Sequence, residues 1–209
     1  MSNKAYDLPE SPAGQSHARW TGVKMSISME RRLLYLPPLH IDANLINARQ
    51  KLPAVNQLEK WYKDEVILIN MSSTAHGEAK ADGNAMRVKK ANTYINTQTP
   101  PFGTFDPLYQ KVESVLFPEG ARDENQRNDV RIVCEAANYQ AVLVTSDGGS
   151  KTQPGGILGN RDKLKNLVQI LSPDEAMKLV RQKISERDAF NIRFVKEFGG
   201  ELPLWTGCD

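Results

Sequence analysis

Four short apolar runs set the rhythm of the chain. "VILIN" at 66–70 is a short continuous apolar run, the pattern of a strand covered on both faces, and "LHID" at 39–42, "AVLVTS" at 141–146 and "NLVQIL" at 166–171 read as further strands. Pro37 and Pro38 interrupt the apolar stretch that precedes the first run, so that strand is expected to begin at about Leu39 and to end by Asp42. Between the runs, "ANLINARQ", "VNQLEKWYKDE", "PLYQKVESVLF" and "NQRNDVRIVCEAANYQ" repeat apolar residues at helical spacing. Pro53 marks one helix start. The cluster Ser72, Ser73 and Thr74 caps another helix, expected to run to about residue 91. Ser172, followed by Pro173, Asp174 and Glu175, opens a last helix expected to reach about Phe198. "TQTPPFGTFDP" and "DGGSKTQPGGILGNRDK" are rich in Gly and Pro and are expected to be loops. Strands that alternate with helices predict an α/β fold, a doubly wound three-layer sandwich with a central, mostly parallel sheet.

Composition refines this picture. With 209 residues, 40% of them hydrophobic, the chain is long enough for one proper core plus extensions. The organisation expected is a flexible leader over 1–24, where Pro9, Pro12 and Gly14 stand among few apolar residues, a single α/β domain over 25–198 with an insertion around 92–107, and a tail over 199–209. No apolar run is long enough to span a bilayer and the first residues lack the apolar core of a signal peptide, so a cytoplasmic protein with no membrane partner is expected. The two cysteines, Cys134 and Cys208, make neither a metal cluster nor a disulfide framework, and Cys134 is read as core. A net charge of +2, from 27 basic and 25 acidic residues, is too small to argue for nucleic acid, so any surface for a polyanion must be local.

The candidate chemistry lies where strands end. In open parallel sheets, ligands bind beyond the carboxyl ends of the strands, and Asp42 and Asp147 both stand there. Asp129 joins them by chain geometry. Ten residues of helix from Asp129 rise about 15 Å, and the strand that follows at once returns roughly 20 Å, so Asp129 and Asp147 are expected to be neighbours. Glu78, in the first turns of the helix that leaves the second run, overhangs the same edge. Taken singly, each of these acids is as readily a turn residue, a cap or a solvated helix acid; their joint placement is what points to chemistry. Two carboxylates about 4 Å apart repel by about 4 kcal/mol at an effective dielectric near 20, so four together call for protons or cations. All-oxygen ligands suit Mg²⁺ or Mn²⁺, one or two ions, and such ions serve in-line phosphodiester hydrolysis.

Other signals carry less. His40 with Asp42, and His76 with Glu78, suggest a mixed His/carboxylate metal site, but His76 and Glu78 lie about 200° apart on a helix and do not share a ligand. The glycine-rich stretch after Asp147 lacks the Gly-Lys-Ser/Thr end of a phosphate loop and is expected to be a mobile lip. Its cations Lys151, Arg161, Lys163 and Lys165 are candidates to face a nucleic-acid backbone, with a solvated loop as the plainer alternative. Trp61, Tyr62 and Tyr94 could stack on bases, but aromatics at such positions are usually core.

"LHIDANLI", "VILINMSSTAHGEA", "NDVRIVCEAA" and "VLVTSD", in this order over about residues 39 to 180, resemble the PIN-domain nucleases. By these motifs Asp42, Glu78, Asp129 and Asp147 match that family's acidic metal-binding quartet. Asn44 matches the small polar residue two positions after the first Asp, and Thr145 a hydroxyl residue before the last. The resemblance implies Mg²⁺- or Mn²⁺-dependent cleavage of single-stranded or structured RNA, in some members as the toxin of a toxin–antitoxin pair. The partners to expect are then an RNA substrate, a protein regulator such as an antitoxin, and a second copy of the chain. The leader, the extended "ANTYINTQTPPFGTFDP" insertion and the long C-terminal segment depart from a compact toxin. The alternative is a catalytically idle PIN-like scaffold that binds RNA or a protein partner.

Overall fold

The computed structural model of the chain describes residues 31–81, 83–100, 102–149 and 154–209. The expected leader at 1–24 and the candidate Lys151 lie outside them. Five strands, β1 (Leu39–Ile41), β2 (Ile69–Ser72), β3 (Ile95–Thr97), β4 (Val142–Val144) and β5 (Gln169–Leu171), form one sheet in the order β3-β2-β1-β4-β5. Every pairing is parallel. All residues of β1, β2 and β4 are buried. Because successive side chains of a strand point to opposite faces, both faces of the sheet's centre are covered.

Helices supply that cover, in an arrangement compatible with a three-layer sandwich: α1 (Pro53–Lys63), α2 (Ser73–Ala81), α3 (Ala85–Ala91), α4 (Pro107–Leu116), α5 (Glu124–Asn138), the single turns α6 (Gly156–Gly159) and α7 (Arg161–Leu164), and α8 (Pro173–Phe198). α1 packs on α8, α4 and α2 pack on α5, and α5 touches both β2 and β4. Among the described residues, no helix is long and apolar enough to cross a membrane. Cys134, Trp61 and Tyr94 are buried in the interior.

The caps explain the best-read elements. Ser172 and Glu175 form the reciprocal pair that opens α8, the Ser172 hydroxyl accepting from Glu175 N and the Glu175 carboxylate accepting from Ser172 N at 2.9 Å. Asp106 and Asp123 cap α4 and α5 without a reciprocal partner, their side-chain oxygens accepting from first-turn amides.

Other stretches depart from expectation, each for a local reason. "ANLINARQ" is not a full helix. It makes one 3-10 turn, Ala43–Leu45, after which the buried Asn47 ties the chain to itself, its amide oxygen accepting from Leu52 N and its amide nitrogen donating to Asn56 Oδ1. β2 begins three residues later than the apolar run suggests, because register is set by pairing with β1, Leu39 opposite Ile69, while Val66 and Ile67 are buried in the connection. The helix expected to run to residue 91 is two helices. Gly83, at φ +67°, breaks it, and the Asn84 side chain restarts it by accepting from Met86 N and Arg87 N. Residues 95–97, inside the expected insertion, supply edge strand β3. The expected loop after Asp147 holds α6 and α7.

The segment 199–209, expected as a tail, is fastened to the body. Asp209 pairs with Arg32 and with Arg187 Nη2 at 2.7 Å, Gly207 N donates to Asp188, and Arg187 stacks 4.3 Å from the Trp205 ring.

Candidate acidic site

The strand order places the site. From β1 the chain lays β2 and β3 on one side, then returns to lay β4 and β5 on the other, so the connections leaving β1 and β4 diverge and open a crevice at their carboxyl ends. Asp42 follows β1 and Thr145 to Asp147 follow β4. Asp42 N donates to Val144 O at 3.0 Å, extending the pairing by one step before the strands part.

Side chains then stitch the two strand ends together. Asp42 is buried, and its Oδ2 accepts from Thr145 Oγ1 at 2.6 Å and from Asn44 Nδ2 at 2.7 Å. Thr145 Oγ1 in turn accepts from Asn44 Nδ2 at 3.1 Å and from Asp147 N at 3.0 Å. The other end of the Asn44 amide, Oδ1, accepts from Ser146 N and Ser146 Oγ. The two residues matched only as auxiliary, Asn44 and Thr145, are therefore the joint that holds Asp42 against the end of β4.

Asp147 is held differently. Its carboxylate faces the backbone of its own loop, with Oδ1 accepting from Gly149 N at 3.0 Å and Oδ2 from Ile157 N at 2.7 Å. Gly156, at φ +55°, lies directly against it. A β-carbon there would meet Asp147 Oδ2 at 2.6 Å and Oδ1 at 2.7 Å and would strike Gly149 N as well. The described part of the expected mobile lip thus wraps the carboxylate. A bridge between Gly149 and Pro154 and the Asn160 amide on Gly156 O hold it further.

Glu78 on α2 and Asp129 on α5 are half-buried. Burial pushes the Glu78 carboxyl above the ordinary range, against a hydrogen bond from Asn128 and the positive charge of Arg87. Burial raises Asp42 as well, opposed chiefly by the Thr145 hydrogen bond, and Asp147 adds to the rise. Asp129 is displaced furthest, to about 8, first by burial and then by the negative charges of Asp147, Asp42 and Glu78 in that order. Among the charges that raise Asp129, that of Asp147 is the largest.

Coupling is not coordination. Among the described residues, no three His, Cys, Asp or Glu side chains form a group that could hold a metal ion as they stand. An open cleft of about 780 Å³ beside the site is lined by Asn44, Glu78, Arg87 and Asn128, without Asp42, Asp129 or Asp147. The chemistry of the four side chains, oxygen donors all, is of the kind a hard divalent cation takes, but they are not gathered into a coordinating group.

Several other sequence candidates stand elsewhere. Arg161 is paired with Glu175 at 2.7 Å and Lys163 donates to Asn160 Oδ1 at 2.9 Å, so both have partners within the fold, and Lys165 is exposed. His40 is buried against Tyr139, with ring centroids 5.4 Å apart, and neither ring nitrogen has a partner. Burial lowers its pKa to about 4, so the ring is neutral at physiological pH. His76 bridges Asn92 and Asn96.

One residue escaped the sequence reading altogether. Glu135 is buried on α5 and accepts from Ser73, Thr74 and Thr99. Its signal was a charge lying among Val133, Cys134 and Ala136 on a helix whose apolar face was otherwise clear. Compared with known proteins, the chain matches no family model and no curated protein.

Proposed function

We propose that the chain is a PIN-like, Mg²⁺- or Mn²⁺-dependent endoribonuclease whose acidic quartet is Asp42, Glu78, Asp129 and Asp147. One observation carries this reading. The two acids that follow β1 and β4 at the crevice of a parallel sheet stand with Glu78 and Asp129 in one set of carboxyl groups, of which Asp42, Glu78 and Asp129 are each raised first by burial and then further by the charge of another member. Carboxyl groups displaced together by burial and by one another at the mouth of a crevice mark a candidate functional site.

The quartet's carboxylates would hold the cation, which when bound supplies a polarised water and charge stabilisation for the departing oxygen. The protein's own groups do the rest. Thr145 and Asn44 fix the Asp42 carboxylate by hydrogen bonds to a single oxygen. Ile157 N and Gly149 N fix Asp147. Asp129 must release its proton before it can ligate. Arg87, lining the cleft beside Glu78, brings positive charge to the side from which a polyanion would approach.

A catalytically idle scaffold that binds RNA or a protein partner is favoured by a different observation: Asp42 and Asp147 each already accept two hydrogen bonds from protein donors. Incubation of single-stranded RNA with the purified chain decides between the two. Cleavage with Mg²⁺ or Mn²⁺ that EDTA and Asp42→Asn both abolish is the result expected of the nuclease. An inert wild type across RNA substrates with either ion makes the idle scaffold the better reading.

A further inference from the structure

Glu135 sits where two helices that carry candidate acids meet. Its Oε1 accepts from Ser73 Oγ at 2.8 Å, Thr74 Oγ1 at 2.9 Å and Thr99 Oγ1 at 3.0 Å, and its Oε2 from Thr74 N at 3.3 Å. Ser73 and Thr74 are the first residues of α2. The carboxylate therefore caps α2 from outside, satisfying a first-turn amide and lying at the positive end of the helix dipole. Thr99 belongs to the segment after β3. Just past the end of the helix that carries Glu135, the Tyr139 hydroxyl donates to the neighbouring Gln98 O at 2.7 Å. One end of α5 is thus bolted to the β2–α2 junction and to the segment leaving β3.

The bolt lies within reach of the site. Glu78 is five residues past Ser73 on α2, roughly 7.5 Å along the helix axis. Asp129 is six residues before Glu135 on α5, roughly 9 Å along its axis. Ala75 and Ala79, fully buried on α2, have side chains too short to fix the helix by interlocking. The hydrogen bonds at Glu135 therefore take on much of that task. A carboxylate accepts only, so it can take all four donors on its two oxygens; an amide of the same shape must turn an N–H toward one of them.

We propose that Glu135 is a positioning residue for the acidic site: through Ser73 and Thr74 it sets how α2, which carries Glu78, lies against α5, which carries Asp129. This role rests on the ribonuclease reading above.

Glu135→Gln is compared with wild type in three measurements: Mn²⁺ binding followed by electron paramagnetic resonance, kcat and KM on single-stranded RNA, and thermal melting. The variant is expected to melt in one cooperative step, to bind Mn²⁺ roughly tenfold more weakly, as loss of outer partners of metal ligands commonly does, and to lose kcat with KM nearly unchanged. Thr99→Val and Thr99→Ser repeat the test at the far partner in case Glu135→Gln does not fold. Val is expected to weaken Mn²⁺ binding and Ser, which keeps the donor, to restore it. If wild type binds Mn²⁺ and cleaves RNA while Glu135→Gln matches it, or if Thr99→Ser is as weak as Thr99→Val, the positioning role falls and the ribonuclease reading stands. If wild type neither binds Mn²⁺ nor cleaves, the ribonuclease reading falls and takes this role with it.

Discussion

Gly156 presses its α-carbon against the carboxylate of Asp147 so closely that a single added methyl group would lie 2.6 Å from Oδ2. At φ +55° the same position is strained for any side chain. Gly156→Ala is therefore expected to push Asp147 out of its amide cradle, lowering stability by about 1–3 kcal/mol and reducing RNA cleavage more severely than that loss accounts for. Thermal melts and initial rates on the same preparation check it; a variant that cleaves at the wild-type rate would show that the cradle is not needed.

Thr145 is a buried hub, donating to Asp42 and accepting from Asn44 and Asp147 N. Thr145→Val keeps the shape and removes the hydroxyl, leaving donors and an acceptor without their partner. The expected cost is about 1–3 kcal/mol, with loss of cleavage because Asp42 is released from one of its two side-chain donors. Denaturant melts and rates measured side by side test this.

Asp42→Asn removes a carboxylate whose charge adds to the rise of Asp129 and Glu78. Cleavage is expected to vanish while metal-free stability holds or rises slightly. Mn²⁺ at about a hundred times its dissociation constant should stabilise wild type by about 2.7 kcal/mol and leave Asp42→Asn nearly unmoved. Equal thermal shifts in both proteins would mean that the ion binds elsewhere.

The Asp129 carboxyl gives a pH signature with a definite sign. Its folded pKa of about 8 lies above the ordinary 3.8, so between those values the folded chain keeps a proton that the unfolded chain releases. The resulting stability is complete below the lower value and is lost as pH rises through the upper one. Asp42 and Glu78, both raised, act in the same direction. In EDTA the melting temperature should fall between about pH 5 and 9, and Asp129→Asn should flatten that slope. A melting temperature that climbs over this range in wild type would contradict the coupling.

How much of this could be read from the chain varies from residue to residue, with physical cause. α8 was legible because Ser172, Pro173 and Glu175 write its start in short-range chemistry. The position of Asp147 was legible because an apolar run that stops on a carboxylate must deliver it to the sheet edge. β3 was not, since Ile95 and Asn96 are exposed at an edge and a three-residue strand there needs no apolar pattern. The start of β2 was obscured because Val66 and Ile67 are as buried as the strand itself. The hydrogen bonds of Asp147 to Gly149 and Ile157 were beyond reach, as they depend on a turn that closes across unlike segments. Glu135 was hidden because its partners Ser73, Thr74 and Thr99 lie 36 to 62 residues away.

The central place of β1 governs the order in which the molecule can assemble. Its first partner, β2, follows within thirty or so residues, but its second, β4, pairs Ile41 with Val144, and the hydrogen bond from Thr145 to Asp42 spans 103 residues. As the chain emerges from the ribosome, one edge of β1 stays open until β4 has been made, and such an edge can template pairing with another chain. Closing it is a slow, non-local step. The same step brings Thr145 and Asp147 to Asp42, so the nascent chain loses its most adhesive edge at the moment it acquires its acidic site.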